Sequence, residues 1–297
     1  MNLRPLSGRA SRWARRSSTL ARLTLAETVR DRITTIAGSL AFHWFLAIFP
    51  AAVALIGFAG VFGLSPSALH GILHGASTLM PSQTSHILSQ ALQHRTPKEA
   101  GQLELVFGVL VALWSATEAM AALQIGLDVA FEVDRGRGYL GRRAMAVPLL
   151  AATVLLGASA SALLVLGDPI RSLLPANFAL VKPAATVAWD VLRWGGALVL
   201  VMLLLSVYYS IGPRRTRRRW HFVTPGSVVA TLGWLGASTA FSFYLKDFGH
   251  ETRTYGAFAD VAVLLLWLYL TGLAVLIGAE VNCEVERLEV ASGNAEP

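Results

Sequence analysis

Residues 258–282 read FADVAVLLLWLYLTGLAVLIGAEVN, and this segment decides the fold class. No charged side chain occurs between Asp260 and Glu280. A helix of about 20 predominantly apolar residues is long enough to cross the hydrocarbon region of a bilayer, whereas a buried core helix usually has a shorter apolar run. The segment therefore predicts a transmembrane helix.

The composition of the whole chain agrees with a membrane protein. Of its 297 residues, 54% are hydrophobic and only 14% are charged, whereas soluble domains carry roughly 25% charged residues. The chain thus lacks the polar surface that a water-soluble protein of this length needs. We predict an all-α, polytopic membrane protein with six transmembrane helices, at residues 36–62, 103–130, 144–166, 190–211, 224–245 and 258–282.

The charged ends of the chain set its predicted domain limits. Residues 1–20 are basic and expected to be disordered, residues 21–285 form a single six-helix domain, and residues 286–297 are a short tail. Residues 20–35 are amphipathic, which indicates either an interfacial helix on the cytoplasmic face or a cytosolic extension of the first span. One long loop, residues 63–102, is expected to form a short external helical segment with helices around residues 67–78 and 84–93.

Lysine and arginine are distributed unequally between the loops. Eight precede the first span, four follow the second span, five follow the fourth and one is in the tail, a total of 18 against seven on the other side. Cytoplasmic loops carry the excess of basic residues. Both termini are therefore predicted to be cytoplasmic in an inner (plasma) membrane, and the net charge of +7 is assigned to orientation and not to nucleic acid.

Motifs of soluble enzymes and metal sites are missing from the sequence. Cys283 is the single cysteine, so no disulfide can form within the chain. His70 and His74 have the i, i+4 spacing of a zinc site, but no carboxylate or cysteine nearby completes a ligand set. There is no phosphate-binding loop, HExxH or GxSxG motif. We predict no catalytic residue, no metal and no cofactor.

An acidic residue in the second span is the leading functional candidate. Glu118 falls near the middle of an apolar run, where ionisable groups are costly and are therefore candidates for function. It belongs to a stripe at helical spacing, which would line a polar cavity or a path for protons or cations. Alternatively, Glu118 is protonated, or paired with one buried donor, and only fixes helix packing. The stripe comprises Trp114, Glu118, Ala121, Ile125, Asp128 and Glu132.

Further polar residues are predicted at the cytoplasmic ends of other spans. His43 in the first span is placed at a depth similar to that of Asp128, and Glu280 and Asn282 end the sixth span. We predict that His43, Asp128 and Glu280 meet in one polar cluster, although a lone histidine is more often a packed, hydrogen-bonded residue. Pro50 is expected to kink the first span and free a carbonyl group.

Several short motifs occur in an order that resembles the YihY / virulence factor BrkB family. They are SLAFH at 39–43 followed by Pro50, WSATE at 114–118, PGS at 225–227, TYG at 254–256, WLY at 267–269 and GAEVN at 278–282. The resemblance covers about residues 30–285 and implies a six-helix inner-membrane protein. Members of the family often carry a basic residue around the position of Glu118, so its role is not carried over from them.

The residues and the resemblance together leave competing functions open. Members were once labelled ribonuclease BN, an assignment generally regarded as mistaken, and others have been linked to serum resistance and the handling of envelope lipids. We predict a protein that transports or flips a lipid or another amphipathic envelope molecule. The alternative is a non-transporting scaffold that recruits envelope proteins. The expected partners are membrane lipids and envelope proteins, with the oligomeric state left open.

A ribonuclease function is disfavoured by the residues themselves. Metal-assisted hydrolysis needs carboxylates or histidines clustered where they reach the cytosol. The predicted cytoplasmic loops are short and rich in arginine, and Asp134 is their main acidic residue.

Overall fold

The computed structural model describes residues 7–61, 102–165, 182–215, 221–248 and 257–291. These ranges form seven α-helices and contain no strand, which confirms the predicted all-α fold. The helices are α1 (Ser7–Arg30), α2 (Ile33–Val61), α3 (Gln102–Ala130), α4 (Tyr139–Val165), α5 (Lys182–Ile211), α6 (Pro225–Phe248) and α7 (Ala257–Ala291).

A helix occupies each of the six predicted spans. Within the described part of the chain, five helices are long and apolar enough to cross a membrane: α2, α3, α4, α5 and α7. Helix α6 has a suitable length of 24 residues but is less apolar, because glycine, serine and threonine interrupt its sequence. The protein is therefore a polytopic α-helical membrane protein.

The N-terminal region differs from the prediction. Helix α1 begins at Ser7, so the expectation of disorder over residues 1–20 is wrong from residue 7 onward, and residues 1–6 lie outside the described part. Alanine, leucine and arginine, which favour helices, recur throughout this segment. Helix α1 ends at Arg30, and Arg32 adopts a positive φ of 51° before α2 begins. Helix α1 is thus a separate helix and not an extension of the first span.

Among the residues whose burial the structure describes, the larger apolar core lies toward the end predicted to be cytoplasmic, and a second core joins α2, α6 and α7 around Trp267. Helix α2 packs between α3 and α7, α6 packs on α7, and α4 lies between α3 and α5. Ile33, Leu127 and Leu276 are completely buried at this end. By contrast, α4 presents exposed apolar side chains such as Leu155. Large exposed apolar surfaces are typical of proteins that face lipid.

Two predictions about the first span and the external loop remain open. Pro50 lies inside α2, which continues to Val61, and its kink stays a prediction. Residues 62–101, which include both predicted external helices, His70 and His74, lie outside the described residues.

Candidate functional site

Glu118 is paired with an arginine from the next helix. It lies near the middle of the Gly108–Ala130 span of α3. One guanidinium nitrogen of Arg143 donates to its carboxylate, and another donates to Thr117 Oγ1 at 2.5 Å and to the carbonyl oxygen of Trp114 at 2.9 Å. The side chain of Glu118 is 45% exposed and that of Arg143 is 15% exposed. Because an isolated carboxylate in a span is costly, Arg143 compensates its charge.

Two aromatic rings hold the same guanidinium group. The Arg143 Cζ atom lies 4.1 Å from the ring centroid of Trp114 and 5.6 Å from that of Tyr139. An arginine within about 6 Å of a ring centroid gains a cation–π interaction, which is stronger where water is scarce. These contacts fix the orientation of the Glu118–Arg143 pair, which is therefore an ordered polar site within the membrane-spanning region. The arginine in it was not predicted, because Arg143 was counted only as a topology signal.

A cavity of about 190 Å³ lies beside this pair, between α2 and α3. Thr35, Ser39 and His43 line it from α2, and Glu118 lines it from α3. The Nδ1 atom of His43 lies 2.7 Å from the carbonyl oxygen of Ser39, so this nitrogen is the donor. Ile125, another lining residue, is 43% exposed at the outer surface. The cavity thus joins polar groups of two helices close to the lipid-facing side.

A second cavity, of about 530 Å³, lies at the ends of α1, α3 and α7. Its charged lining residues are Arg30, Asp31, Asp128, Glu132, Asp134 and Arg287. Asp128 is buried, and its Oδ1 atom accepts a hydrogen bond of 2.9 Å from the backbone N–H of Arg214. Glu132 follows α3 with a positive φ of 49° and binds both Arg30 and Arg287. The cavity is therefore bordered by a charged network between three helices.

Asn282 has a clear structural task. Its Oδ1 atom accepts a hydrogen bond of 2.7 Å from the N–H of Gly226, and its Nδ2 atom donates to Thr224 Oγ1 at 3.0 Å. Thr224 and Ser227 exchange side-chain and backbone hydrogen bonds at the same helix start. The first N–H groups of a helix lack partners within it. Asn282 therefore caps α6 and ties it to α7.

The same crossing brings two glycines together. A Cβ atom at Gly226 would lie 1.9 Å from the carbonyl oxygen of Gly278, and one at Gly278 would lie 2.5 Å from the carbonyl oxygen of Gly226. Only residues without a side chain allow helix backbones to approach this closely. The PGS and GAEVN motifs of the sequence thus meet in one helix crossing.

Glu280 is buried but has an unsatisfied carboxylate oxygen. Its side chain is on α7, only 2% of the residue is exposed, and its Oε1 atom has no hydrogen-bond partner in the described part of the molecule. The charged groups that act on it are Asp31, Glu27, Glu284 and Arg30.

The predicted polar residues do not all line one cavity. His43 faces the cavity of Glu118, Asp128 lines the larger cavity, and Glu280 faces the acidic residues of α1. His43 and Asp128 therefore line two different cavities. The predicted stripe also divides: Trp114, Glu118 and Ile125 are partly exposed, whereas Ala121 and Asp128 are buried.

Comparison with known proteins decides the family. The family model described as Virulence factor BrkB matches residues 24–297. The chain belongs to this family. The resemblance found in the sequence motifs is thereby confirmed, and it extends to residues beyond those motifs.

Named relatives are membrane proteins or carry a ribonuclease-like name. YfkH of Bacillus subtilis, named ribonuclease-like, is 30% identical over 243 residues, which are 82% of this chain and 86% of YfkH. A UPF0761 membrane protein of Paraburkholderia xenovorans is 26% identical over 91% of this chain, and one of Chromobacterium violaceum is 28% identical over 93%. The aligned region covers 61% of each of these two longer relatives. No solved structure matches the chain.

Proposed function

We propose that this BrkB-family protein moves a lipid or another amphipathic envelope molecule across or within the inner membrane. The observation that carries the proposal is the Glu118–Arg143 pair, a carboxylate and a guanidinium in the membrane region beside a cavity. Charged groups inside membrane spans are rare and usually mark substrate or ion pathways.

The exposure of the pair favours an amphipathic substrate over a small ion. Trp114 is 62% exposed and Phe42 is 54% exposed, so apolar surface surrounds the half-exposed Glu118 carboxylate. A lipid headgroup with both charges would match Glu118 and Arg143, while its acyl chains stayed in the bilayer against the apolar side chains. The proposed route therefore follows the α2–α3 surface.

The proposed orientation rests on the loop charges. The basic bias of 18 to seven supports cytoplasmic termini under the positive-inside rule. In this orientation, α1 and the larger cavity face the cytoplasm, and Arg143 approaches Glu118 from the cytoplasmic start of α4.

A reconstitution experiment tests the proposal. Purified protein is placed in vesicles that contain a fluorescent phospholipid, and the fraction accessible to an external quencher is followed with time. We expect wild-type protein to speed exchange between leaflets, and both Glu118→Gln and Arg143→Gln to abolish this effect.

Glu286 provides a matched control for these variants. It pairs with Arg215 at 2.6 Å, and its side chain is 40% exposed, close to the 45% of Glu118, yet it does not line the α2–α3 cavity. Glu286→Gln should therefore leave exchange unchanged. Equal exchange by wild type, Glu118→Gln and Arg143→Gln would refute the proposal.

A further inference from the structure

Arg143 has few N–H groups left for a ligand. Its Nη1 atom donates to Thr117 Oγ1 and to the carbonyl oxygen of Trp114, and its Nη2 atom donates to Glu118. Its Nε atom is buried and has no partner among the described residues. A guanidinium group has five N–H donors, so three are engaged and a fourth cannot reach a ligand. The arginine therefore lacks the free pair of donors with which this side chain typically binds a phosphate.

Glu118 is the more accessible member of the pair. Its side chain is 45% exposed, against 15% for Arg143. Only its Oε2 atom binds Arg143, and no described residue donates a hydrogen bond to its Oε1 atom. An ionised carboxylate accepts hydrogen bonds and cannot donate them. The pair therefore presents a negatively charged acceptor to a molecule that enters the α2–α3 cavity.

The other polar groups of this cavity can also accept hydrogen bonds. Thr35, Ser39 and His43 line it from α2, and a hydroxyl oxygen accepts as well as donates. The Nδ1 atom of His43 donates to the carbonyl oxygen of Ser39, which leaves Nε2 as an acceptor when the ring is neutral. Among the described residues, no lysine or arginine lines the cavity. A ligand with positive charge and several N–H donors would complement this lining.

The size and the side chains of the cavity narrow the class of cation. Its volume of about 190 Å³ is below the roughly 300–1,000 Å³ of pockets that enclose drug-sized molecules, so it has room for the end of a headgroup and not for a whole lipid. Quaternary ammonium groups are typically held by cages of aromatic rings. The described lining includes no phenylalanine, tyrosine or tryptophan, and the ring of Trp114 already carries Arg143 at 4.1 Å. A primary ammonium, with three N–H donors, fits this lining better.

We propose that the cavity binds the primary ammonium group of an amphipathic molecule, such as a phospholipid with an ethanolamine headgroup, through the Glu118 carboxylate. The inference rests on the proposed function, because it names the class of lipid that would be moved. Arg143 is then a positioning residue that holds the carboxylate in place. The acyl chains stay in the bilayer against exposed apolar side chains of α2, among them Phe42 and Leu46.

Lipid binding without transport tests the inference. Purified full-length protein in detergent is mixed with equal amounts of phospholipids that share their acyl chains and carry ethanolamine, its N-methyl or N,N-dimethyl derivative, choline or glycerol as headgroup. Native mass spectrometry measures which lipids stay bound. We expect retention to fall with each added methyl group, to about fivefold less for choline than for ethanolamine, because each methyl group removes a donor to a charged acceptor. This series uses the wild type, so misfolding of a variant cannot affect it.

Two variants and one soluble competitor locate the interaction. Glu118→Gln should abolish the preference for ethanolamine, whereas Glu286→Gln, which changes a carboxylate outside the cavity, should keep it. Each variant must elute in size exclusion as the wild-type species does. A large excess of soluble phosphoethanolamine should not displace the ethanolamine lipid, because it lacks acyl chains. Displacement by this competitor would overturn the assignment to a lipid.

The outcomes separate this inference from the proposed function. Equal retention of ethanolamine and choline lipids by wild type, or a preference for the glycerol headgroup, would overturn the inference. A preference that survives in folded Glu118→Gln would overturn it too. In the vesicle assay, exchange of all headgroups at one rate would keep the proposed function and contradict the inference. A protein that prefers the ethanolamine lipid but does not speed its exchange would support the inference and refute transport.

Discussion

Among the glycines of the described structure, Gly226 and Gly278 form the closest backbone contact between α6 and α7. The carbonyl oxygen of each glycine occupies the space that a Cβ atom on the other would need. The contact lies beside the hydrogen bond from the N–H of Gly226 to Asn282. In the same place, the hydroxyl group of Tyr209 donates to the carbonyl oxygen of Val275 at 2.8 Å. Three helices are therefore held together at one crossing.

Alanine at either glycine should destabilise this crossing. We expect Gly278→Ala to lower the free energy of unfolding by about 1–3 kcal/mol or more, because overpacking against backbone cannot be relieved by rotating a side chain. Thermal unfolding in detergent and the amount of protein in the membrane are the measurements. Gly236→Ala, on α6 where a Cβ atom meets nothing within 4 Å, is the control. Equal stability of the two variants would contradict the contact.

Removing the side chain of Asn282 should also destabilise the protein, through lost hydrogen bonds and not through overpacking. Asn282→Ala leaves the N–H of Gly226 and the hydroxyl of Thr224 without their buried partner, a loss of about 1–3 kcal/mol. Thermal unfolding checks this prediction. Ser159→Ala removes an exposed hydrogen bond to Leu155 within one helix and should change the midpoint little. If Asn282→Ala were as stable as Ser159→Ala, the cap would have no energetic role.

Transport should need both charges of the Glu118–Arg143 pair, whereas membrane abundance should depend on whether one charge is left without its partner. In a protein with both Glu118→Gln and Arg143→Gln, no charge remains unpaired, so membrane abundance should exceed that of Arg143→Gln, which leaves Glu118 alone in a span. Lipid exchange should stay lost in all three variants. Immunoblots of membrane fractions and the vesicle assay measure these outcomes. Recovery of exchange in the double variant would show that the pair only supports folding.

The topology is tested by accessibility of introduced cysteines. In a Cys283→Ser background, Gln83→Cys should react with a membrane-impermeant maleimide in intact cells, and Thr216→Cys should react only after the cells are opened. The reason is the unequal distribution of basic residues between the two sides. The reverse labelling pattern would show that the termini are external.

We predict that the purified protein does not cleave RNA above a mock preparation, with Mg²⁺ or Mn²⁺ present. Among the described residues, the group of carboxylates that most resembles a hydrolytic metal centre consists of Glu27, Asp31 and Glu132. Arg30 and Arg287 already form ion pairs with this group. Release of labelled RNA fragments is the measurement. Activity that persists through purification and disappears in Asp31→Asn would contradict the prediction.

The helices could be predicted from sequence because hydropathy acts locally. Each predicted apolar run is a helix. The largest differences at the ends are in α5, which begins at Lys182 and not at residue 190, and in α7, which continues past residue 282 to Ala291. The prediction of disorder is wrong for residues 7–20, because arginine, which makes this segment strongly basic, also has a high helix propensity.

The polar sites could be predicted only in part, since they depend on contacts between distant residues. Glu118 and Asn282 were identified by their position in apolar segments, but Arg143 stands 25 residues from Glu118 and was assigned to a loop. Glu27 and Glu132 are more than 100 residues apart. Their approach depends on the turn at Arg32, which no residue pattern indicates, because a positive φ is uncommon for arginine.

The length of α7 has a mechanical consequence. Its 35 residues span about 52 Å, whereas the hydrocarbon region is about 30 Å thick. The uncharged stretch between Asp260 and Glu280 accounts for only about 28 Å of this length, so the charged last turns of α7 extend beyond the hydrocarbon region. Arg287 on this extension pairs with Glu27 of α1. The end of α7 therefore fixes the position of the N-terminal helix outside the bilayer.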